Sequence, residues 1–524
     1  MTLYKLAIAA GAFVVAGFAF SACATEDLEE ETFGNIVPGS TFGQSESEFR
    51  TLIAGAYIQL FRLQGNHNSL WSMNEVSTDE FIIPQRGVDW EDGGQWFRVH
   101  THAWTDSEPS FNNAWNKLYG GISRFTQLIE DILPAANPEL AAQFTPELRG
   151  LRALYYMYLI DNFGNVPLVL SGDQSEDFPS TRSREEVYNY IVAELQEIIP
   201  QLPAEAEYAR ITRSVAQGIL AKMYLNSEVY TGTPRWQECI DQVDAIIASD
   251  NYILEDNYFT NFDANNIVSR ENMMVIPYDR VNGRGFNIGF MTLHYRSQET
   301  FAMTAEPWNG YATLQEFYDS YDDDDVRKGT PGVQQERSNF LVGPQFALDG
   351  VTRLIDPGAE ASDPDGPPLT FMPEISEIRP SALRQAGARF AKYEYEEGTD
   401  PEGNNDYPLL RYGDMLLMKA ECLLRLNGDD DEDALEIVNL VRARNFDDSS
   451  PNAELSSLNL DDMLAVRGRE MMGEYFRRQD LIRFGQFATG SWQFKDPAPE
   501  FRNLFPIPAP QLQANPNLVQ NPGY

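Results

Sequence analysis

RYGDMLLMKAECLLRLNGDDDEDALEIVNLVRARN, residues 411 to 445, reads as two helices and the turn between them. Tyr412, Met415, Leu416, Ala420, Leu423 and Leu426 recur at three- and four-residue steps, which places them on one apolar stripe of a helix. Asn427-Gly428 stops that helix. The acids that follow favour the positive end of a second helix, whose buried side carries Ala434, Ile437, Val438 and Val441.

The same format recurs upstream. RSVAQGILAKMYLNSEVYTGTPRWQECIDQVDAIIAS (213 to 249) repeats it, with small Ala216, Gly218 and Ala221 allowing close approach and Thr233-Pro234 opening the second helix. ELRGLRALYYMYLIDNFGNVPLV (147 to 169), SREEVYNYIVAELQEIIPQLP (183 to 203) and SEFRTLIAGAYIQLFRL (47 to 63) are further helical runs. Helical hairpins of about 34 residues resemble tetratricopeptide units, which stack because one alone cannot cover its apolar face. The likeness is in format more than in exact signature. From about 280 to 405 the texture changes: VNGRGFNIGF, DPGAEASDPDGPPLT and EEGTDPEGNNDYP are loop-forming. The expected fold is mainly α, a set of tetratricopeptide-like helical hairpins carrying long irregular insertions. Its helical N-terminal part runs over 47–275 and its C-terminal part over 276–524.

The N-terminus asks a different question. In FAFSACATEDLEEE (18 to 31) an apolar run ends at Cys23 and five acidic side chains follow. Lys5, the apolar stretch Leu6 to Phe20 and the small pair Ser21-Ala22 make an export signal over 1–22. A cysteine at the cleavage point can carry lipid and become the new N-terminus, so Cys23 is expected to be an anchor, with 23–46 an acidic flexible tether. An ordinary secretory signal with an incidental cysteine is the alternative. Cys239 and Cys422 fall in helical runs and read as small buried apolar residues, not as a disulfide framework. The formal charge of -40 and pI near 4.3 argue against nucleic-acid binding, because such a surface repels phosphates.

Four segments in order carry a family resemblance: RALYYMYLIDNFGNVPLV; LLRYGDMLLMKAECLLRLNG with ALEIVNLVRAR; RGREMMGEYFRRQDLIRFGQF; and the closing LFPIPAPQLQANPNLVQNPGY. Together, behind the cysteine-bearing leader, they resemble the SusD/RagB family of outer-membrane nutrient-binding lipoproteins over nearly all of the mature chain. The resemblance implies a helical scaffold with a ligand site built from loops, and a surface-exposed, non-catalytic protein that captures a carbohydrate. It also implies a SusC-like TonB-dependent transporter as partner, and reads the acidic cluster after Cys23 as the signal that sends the lipoprotein to the cell exterior. Simple solvation of an acidic tether is the competing reading. Peptide capture, as in the RagB branch, and a surface glycoside hydrolase are the alternatives.

Two aromatic-rich stretches are candidates for the site. STDEFIIPQRGVDWEDGGQWFRVHTHAW (77 to 104) sets Trp90 and Trp96 on either side of a Gly-Gly turn, with Arg86, Asp89, Asp92 and Gln95 as hydrogen-bonding neighbours. A sugar presents apolar C–H faces edged by hydroxyls, to which an aromatic plate with polar neighbours is complementary. Trp90 is the expected platform. LHYRSQETFAMTAEPWNGYATLQEFYDSYD (293 to 322) offers Tyr295, Arg296, Trp308, Asn309 and Tyr311 as an opposite wall. Core packing competes with ligand contact for every one of these aromatics, and Trp104 and Trp115 are assigned to the core.

No catalytic signature stands out. His100-Thr101-His102 has an H-x-H spacing but no partner cluster to complete a zinc site. Asp322 to Asp325, and Asp363 with Asp365, could offer oxygens to a structural calcium, yet neither fits the twelve-residue loop pattern. No G-x-S-x-G elbow or phosphate-cradling glycine loop occurs, and no cofactor is expected.

Overall fold

Ser45 opens the first helix through a reciprocal cap: its hydroxyl accepts from the Glu48 N–H while the Glu48 carboxylate accepts from the Ser45 N–H at 3.0 Å. The computed structural model describes residues 45–61, 63–68, 70–171, 178–205, 207–356 and 366–524. The leader, Cys23, nearly all of the tether, Asp363 and Asp365 lie outside the described residues.

The helices that build the scaffold are α1 (Glu46–Tyr57), α2 (Leu70–Val76), α3 (Gln95–His100), α4 (Pro109–Gln127), α5 (Pro138–Phe163) and α6 (Arg184–Ile198). They continue as α7 (Arg213–Leu225), α8 (Trp236–Ala248), α9 (Tyr412–Asn427), α10 (Glu432–Ala443), α11 (Leu460–Met471) and α12 (Arg477–Arg483). Local chemistry sets their ends. Proline at the first turn starts α4 and α5, where its missing N–H costs nothing. Ser183 with Glu186, and Asn459 with Asp462, form capping boxes for α6 and α11. The turn in the 411–445 stretch behaves as its residues dictate: Gly428 ends α9 and the Asp431 carboxylate accepts from the Ala434 N–H at 2.9 Å to start α10.

From α4 to α10 each helix packs on the next, giving the stacked helix pairs that the periodicity implied. Close approach within the stack depends on small residues. A Cβ at Gly121 of α4 would lie 2.2 Å from the Tyr155 ring of α5. One expectation needs correcting. α9 does not present a single stripe: Leu426 is exposed, while Leu417, Met418, Cys422 and Leu424 are buried. The reason is position, since α9 lies between α8 and α10 and is covered on most sides.

α8 and α9 are neighbours in space although residues 249–411 separate them in sequence. That excursion carries the loop-rich region, and its neck is an antiparallel pair, β2 (Asn272–Ile276) with β4 (Tyr407–Arg411). Buried ion pairs lock the neck to the scaffold. Arg411 meets Glu474 at 2.7 Å and Glu271 at 2.5 Å, Arg444 meets Glu271 at 2.5 Å and Glu470 at 2.6 Å, and Lys392 meets Glu474 at 2.5 Å. The closing QNPGY is a clamp: the Asn521 amide donates to the carbonyls of Phe163 and Phe505 at 2.8 and 2.9 Å, and Trp104 Nε1 donates to the Tyr524 hydroxyl at 2.7 Å. Among the described residues no helix is long and apolar enough to cross a membrane.

Candidate functional site

Two short strands decide where the site forms. β1 (Phe81–Ile82) pairs antiparallel with β3 (Ala312–Thr313), Phe81 opposite Thr313 and Ile82 opposite Ala312. This pairing brings the loop after β1 beside the segment before β3, although more than two hundred residues lie between them. A tight reversal follows β1, with the Arg86 N–H donating to the Asp89 carbonyl at 3.0 Å and Gly87 at φ 73°. Trp90 then sits at φ 61° and Asp92 at φ 39°. A bulky residue in left-handed backbone is strained and persists only where its surroundings fix it.

The surroundings of Trp90 do so. Its indole N–H donates to the Trp308 carbonyl at 2.7 Å, and its ring packs against Gly310. The His67 ring stands nearly perpendicular to it at 5.0 Å between centroids, and the Tyr311 ring does the same at 5.6 Å. The result is an open groove of about 580 Å³. Trp90, Trp308 and Tyr295 supply its aromatic surfaces, and Asp89, Asp92 and Glu306 its carboxylates.

Two of the carboxylates are oriented. Asp89 accepts a short hydrogen bond from the Tyr295 hydroxyl, whose own ionisation is pushed up to about 12 by burial and by that carboxylate. Asp92 accepts from Trp96 Nε1 at 2.8 Å. His67 Nδ1 lies 2.9 Å from the Tyr311 hydroxyl, which itself donates to Ser72 Oγ at 2.7 Å. Burial pulls His67 down to about 4, so the imidazole is neutral at neutral pH and offers polarity without charge.

Of the residues named from sequence, Asp89, Trp90, Asp92, Tyr295 and Trp308 meet in this groove. The other six do not line the groove and are corrected to supporting positions, because the loop and the segment it pairs with each have an inner face. Trp96 is 1% exposed and acts by bonding Asp92, and Tyr311 is equally buried beneath Trp90. Asn309 is buried, donating to the Arg384 carbonyl at 3.1 Å and accepting from Arg389 at 2.9 Å. Arg86 is buried with its guanidinium on the carbonyls of Asn309, Ala386 and Leu383, and Gln95 is buried in the first turn of α3. Arg296 is half-buried and engaged with Glu299. Reasoning from sequence missed His67, Glu306 and Pro307. The last two stand directly before Trp308 in the quoted cluster, whereas nothing local marks His67.

The other candidate sites are occupied by structural duties. Asp323 pairs with Lys328, Asp325 with Arg327, and Asp324 accepts from Ser450 and Asn452. His100 and His102 are buried and face backbone carbonyls. Among the described residues no group of three or more His, Cys, Asp or Glu could hold a metal ion. Trp104, Trp115, Cys239 and Cys422 are buried.

Stacked helix pairs with an aromatic groove carried partly on an inserted excursion define a particular class of helical-repeat protein. A family model described as the SusD family matches residues 387–524, and one described as starch-binding associating with outer membrane matches residues 38–225. The starch-binding protein SusD of Bacteroides thetaiotaomicron is 25% identical over 88% of this chain and 86% of its own length. The SusD-like protein P2 of Formosa agariphila is 24% identical over 95% of this chain and 96% of its own. Among solved structures, surface glycan-binding protein A from Bacteroides thetaiotaomicron in complex with laminarihexaose superposes with a TM-score of 0.69 at 20% identity, covering 91% of this chain and 99% of that one. The chain belongs to the SusD family.

Proposed function

We propose that this protein is a non-catalytic, cell-surface glycan-binding lipoprotein that captures oligo- or polysaccharide and passes it to a SusC-like TonB-dependent transporter. The observation that carries the reading is the groove itself: Trp90, Trp308 and Tyr295 converge with Asp89, Asp92 and Glu306. Indole and phenol faces cover the C–H faces of a sugar ring, and carboxylate oxygens accept from its hydroxyls. The groove is open, which suits a chain longer than one sugar unit. Support also comes from a relative whose name states starch binding and from a neighbour solved with laminarihexaose.

Attachment through Cys23 and export to the outer face follow from the leader. The transporter partnership rests on the family. Native gel electrophoresis in the presence of a polysaccharide panel tests glycan capture: retardation is expected with at least one glycan and must be lost in Trp90→Ala. Release of shorter sugars by the purified protein alone would reject the non-catalytic reading, and absence of palmitate label on Cys23 would reject the anchor. Affinity purification from membranes of the native host should bring down a large β-barrel protein.

A further inference from the structure

The aromatic groove is walled by three carboxylates, and no lysine or arginine lines it among the described residues. Asp89 and Asp92 are held in place by Tyr295 and Trp96, so neither can swing away without breaking its bond. Glu306 is exposed and lines the groove beside Pro307. The nearby cations are turned to other partners. The Arg384 guanidinium lies 4.5 Å from the centre of the Tyr295 ring and pairs with Asp356 at 3.3 Å, while Arg296 pairs with Glu299.

The one imidazole lining the groove among the described residues adds no positive charge. Burial keeps His67 neutral against the pull of Asp92, which favours the charged form. The chain as a whole carries a formal charge of -40, so its long-range field repels anions. A ligand bearing carboxylate or sulfate groups would therefore enter a negative site with no counter-charge to meet it, and would shed its hydration in doing so.

From this arrangement we infer that the groove selects uncharged glycans and rejects uronate-bearing or sulfated ones, with Asp89, Asp92 and Glu306 as the specificity-determining residues. The inference rests on the glycan-binding reading of the same groove. Selection of this kind is an affinity difference created by a repulsive element, added to the attraction of the aromatic faces. Its strength depends on salt, because the screening length shrinks from about 10 Å at 0.1 M to about 3 Å at 1 M ionic strength.

The test uses a matched pair: the neutral oligosaccharide that the protein binds best, and the same oligosaccharide oxidised at C6 to carboxylates, so that linkage and length are identical. Calorimetric titration at about 0.1 M salt should show the carboxylated form binding at least about tenfold more weakly. The gap should narrow to about threefold or less at 1 M salt, and likewise in Asp92→Asn/Glu306→Gln at low salt. Equal or tighter binding of the carboxylated form, with neutral binding retained, would overturn the inference alone. So would a gap that neither salt nor the double variant moves, since it would then reflect the lost C6 hydroxyl. Failure of every neutral oligosaccharide to bind would overturn the glycan-binding reading itself and this inference with it.

Discussion

The indole of Trp90 occupies the space that a side chain on Gly310 would need: a Cβ built there lies 2.3 Å from both Cε2 and Cζ2. Gly310 thus serves as the floor beneath the platform. Its backbone is not in the left-handed region, so alanine is excluded by Trp90 alone. Gly310→Ala should push the indole outward and weaken glycan binding by about tenfold or more, while the overpacking costs about 1–3 kcal/mol of stability. Titration paired with a thermal melt checks this; unchanged affinity would show that Trp90 does not depend on Gly310.

Tyr295→Phe keeps the aromatic face and removes only the hydroxyl that orients Asp89. Hydrogen bonds to charged groups contribute about 1.5–3 kcal/mol, less at a partly exposed site. Binding should therefore weaken severalfold and survive, whereas Tyr295→Ala, which also deletes the face, should cost more. Titration of the two variants side by side decides it, and equal effects would contradict a role for the hydroxyl.

Glu75 and Glu80 form a buried carboxyl pair beneath the turn that follows α11. Glu75 accepts from the Tyr475 N–H at 2.5 Å and Glu80 from the Gly473 N–H at 3.0 Å. Each keeps one oxygen with no other hydrogen-bond partner, which a proton held on the pair would satisfy. Burial pushes Glu75 up to about 8 and raises Glu80 as well. A carboxyl raised on folding binds more protons in the folded than in the unfolded state, so its contribution to stability is lost as pH rises from about 4.5 towards 8. The stability of Glu75→Gln relative to the parent should accordingly grow as pH rises from 5 to 8. Thermal melts across that range give the difference directly, and a flat difference would contradict the pairing.

Glu421 sits fully buried in α9 between Arg483, at 2.6 Å, and Arg425, at 2.8 Å. Removing one partner of a buried ion pair strands the other charges, at about 3–5 kcal/mol. Glu421→Ala should melt well below the parent, and the glycan affinity of the fraction still folded should be unaltered, since the groove lies elsewhere. A loss of under 1 kcal/mol would show that the network is not stabilising.

How much of this was legible in the sequence depends on the range of the interactions involved. Helix ends were readable because they are local: Asn427-Gly428 and the acids after it stop and start helices through bonds within a turn. The burial of α9 on most sides was not, because α8 returns to it across the excursion. Trp90 could be chosen from its glycine-rich, polar surroundings. Which neighbours shared the groove depended on the β1–β3 register, a pairing of two residues with two that no local pattern announces. That register sent Trp96, Tyr311 and Asn309 inward and left Tyr295 and Trp308 lining the groove. His67 escaped notice because its place is set by Tyr311 and Trp90, distant in sequence. The strongest family segments, around Arg411, Glu470 and Glu474, turn out to lock the excursion to the scaffold and take no part in lining the groove.

The central claim, that sugar rings lie on the Trp90 platform, is tested most directly by saturation-transfer NMR on a bound neutral oligosaccharide, comparing the parent protein with Trp90→Ala and confirming by melting curve that both are folded. The account predicts strong transfer to the ring C–H protons with the parent and near-complete loss with the variant. Equal transfer from both proteins would contradict it.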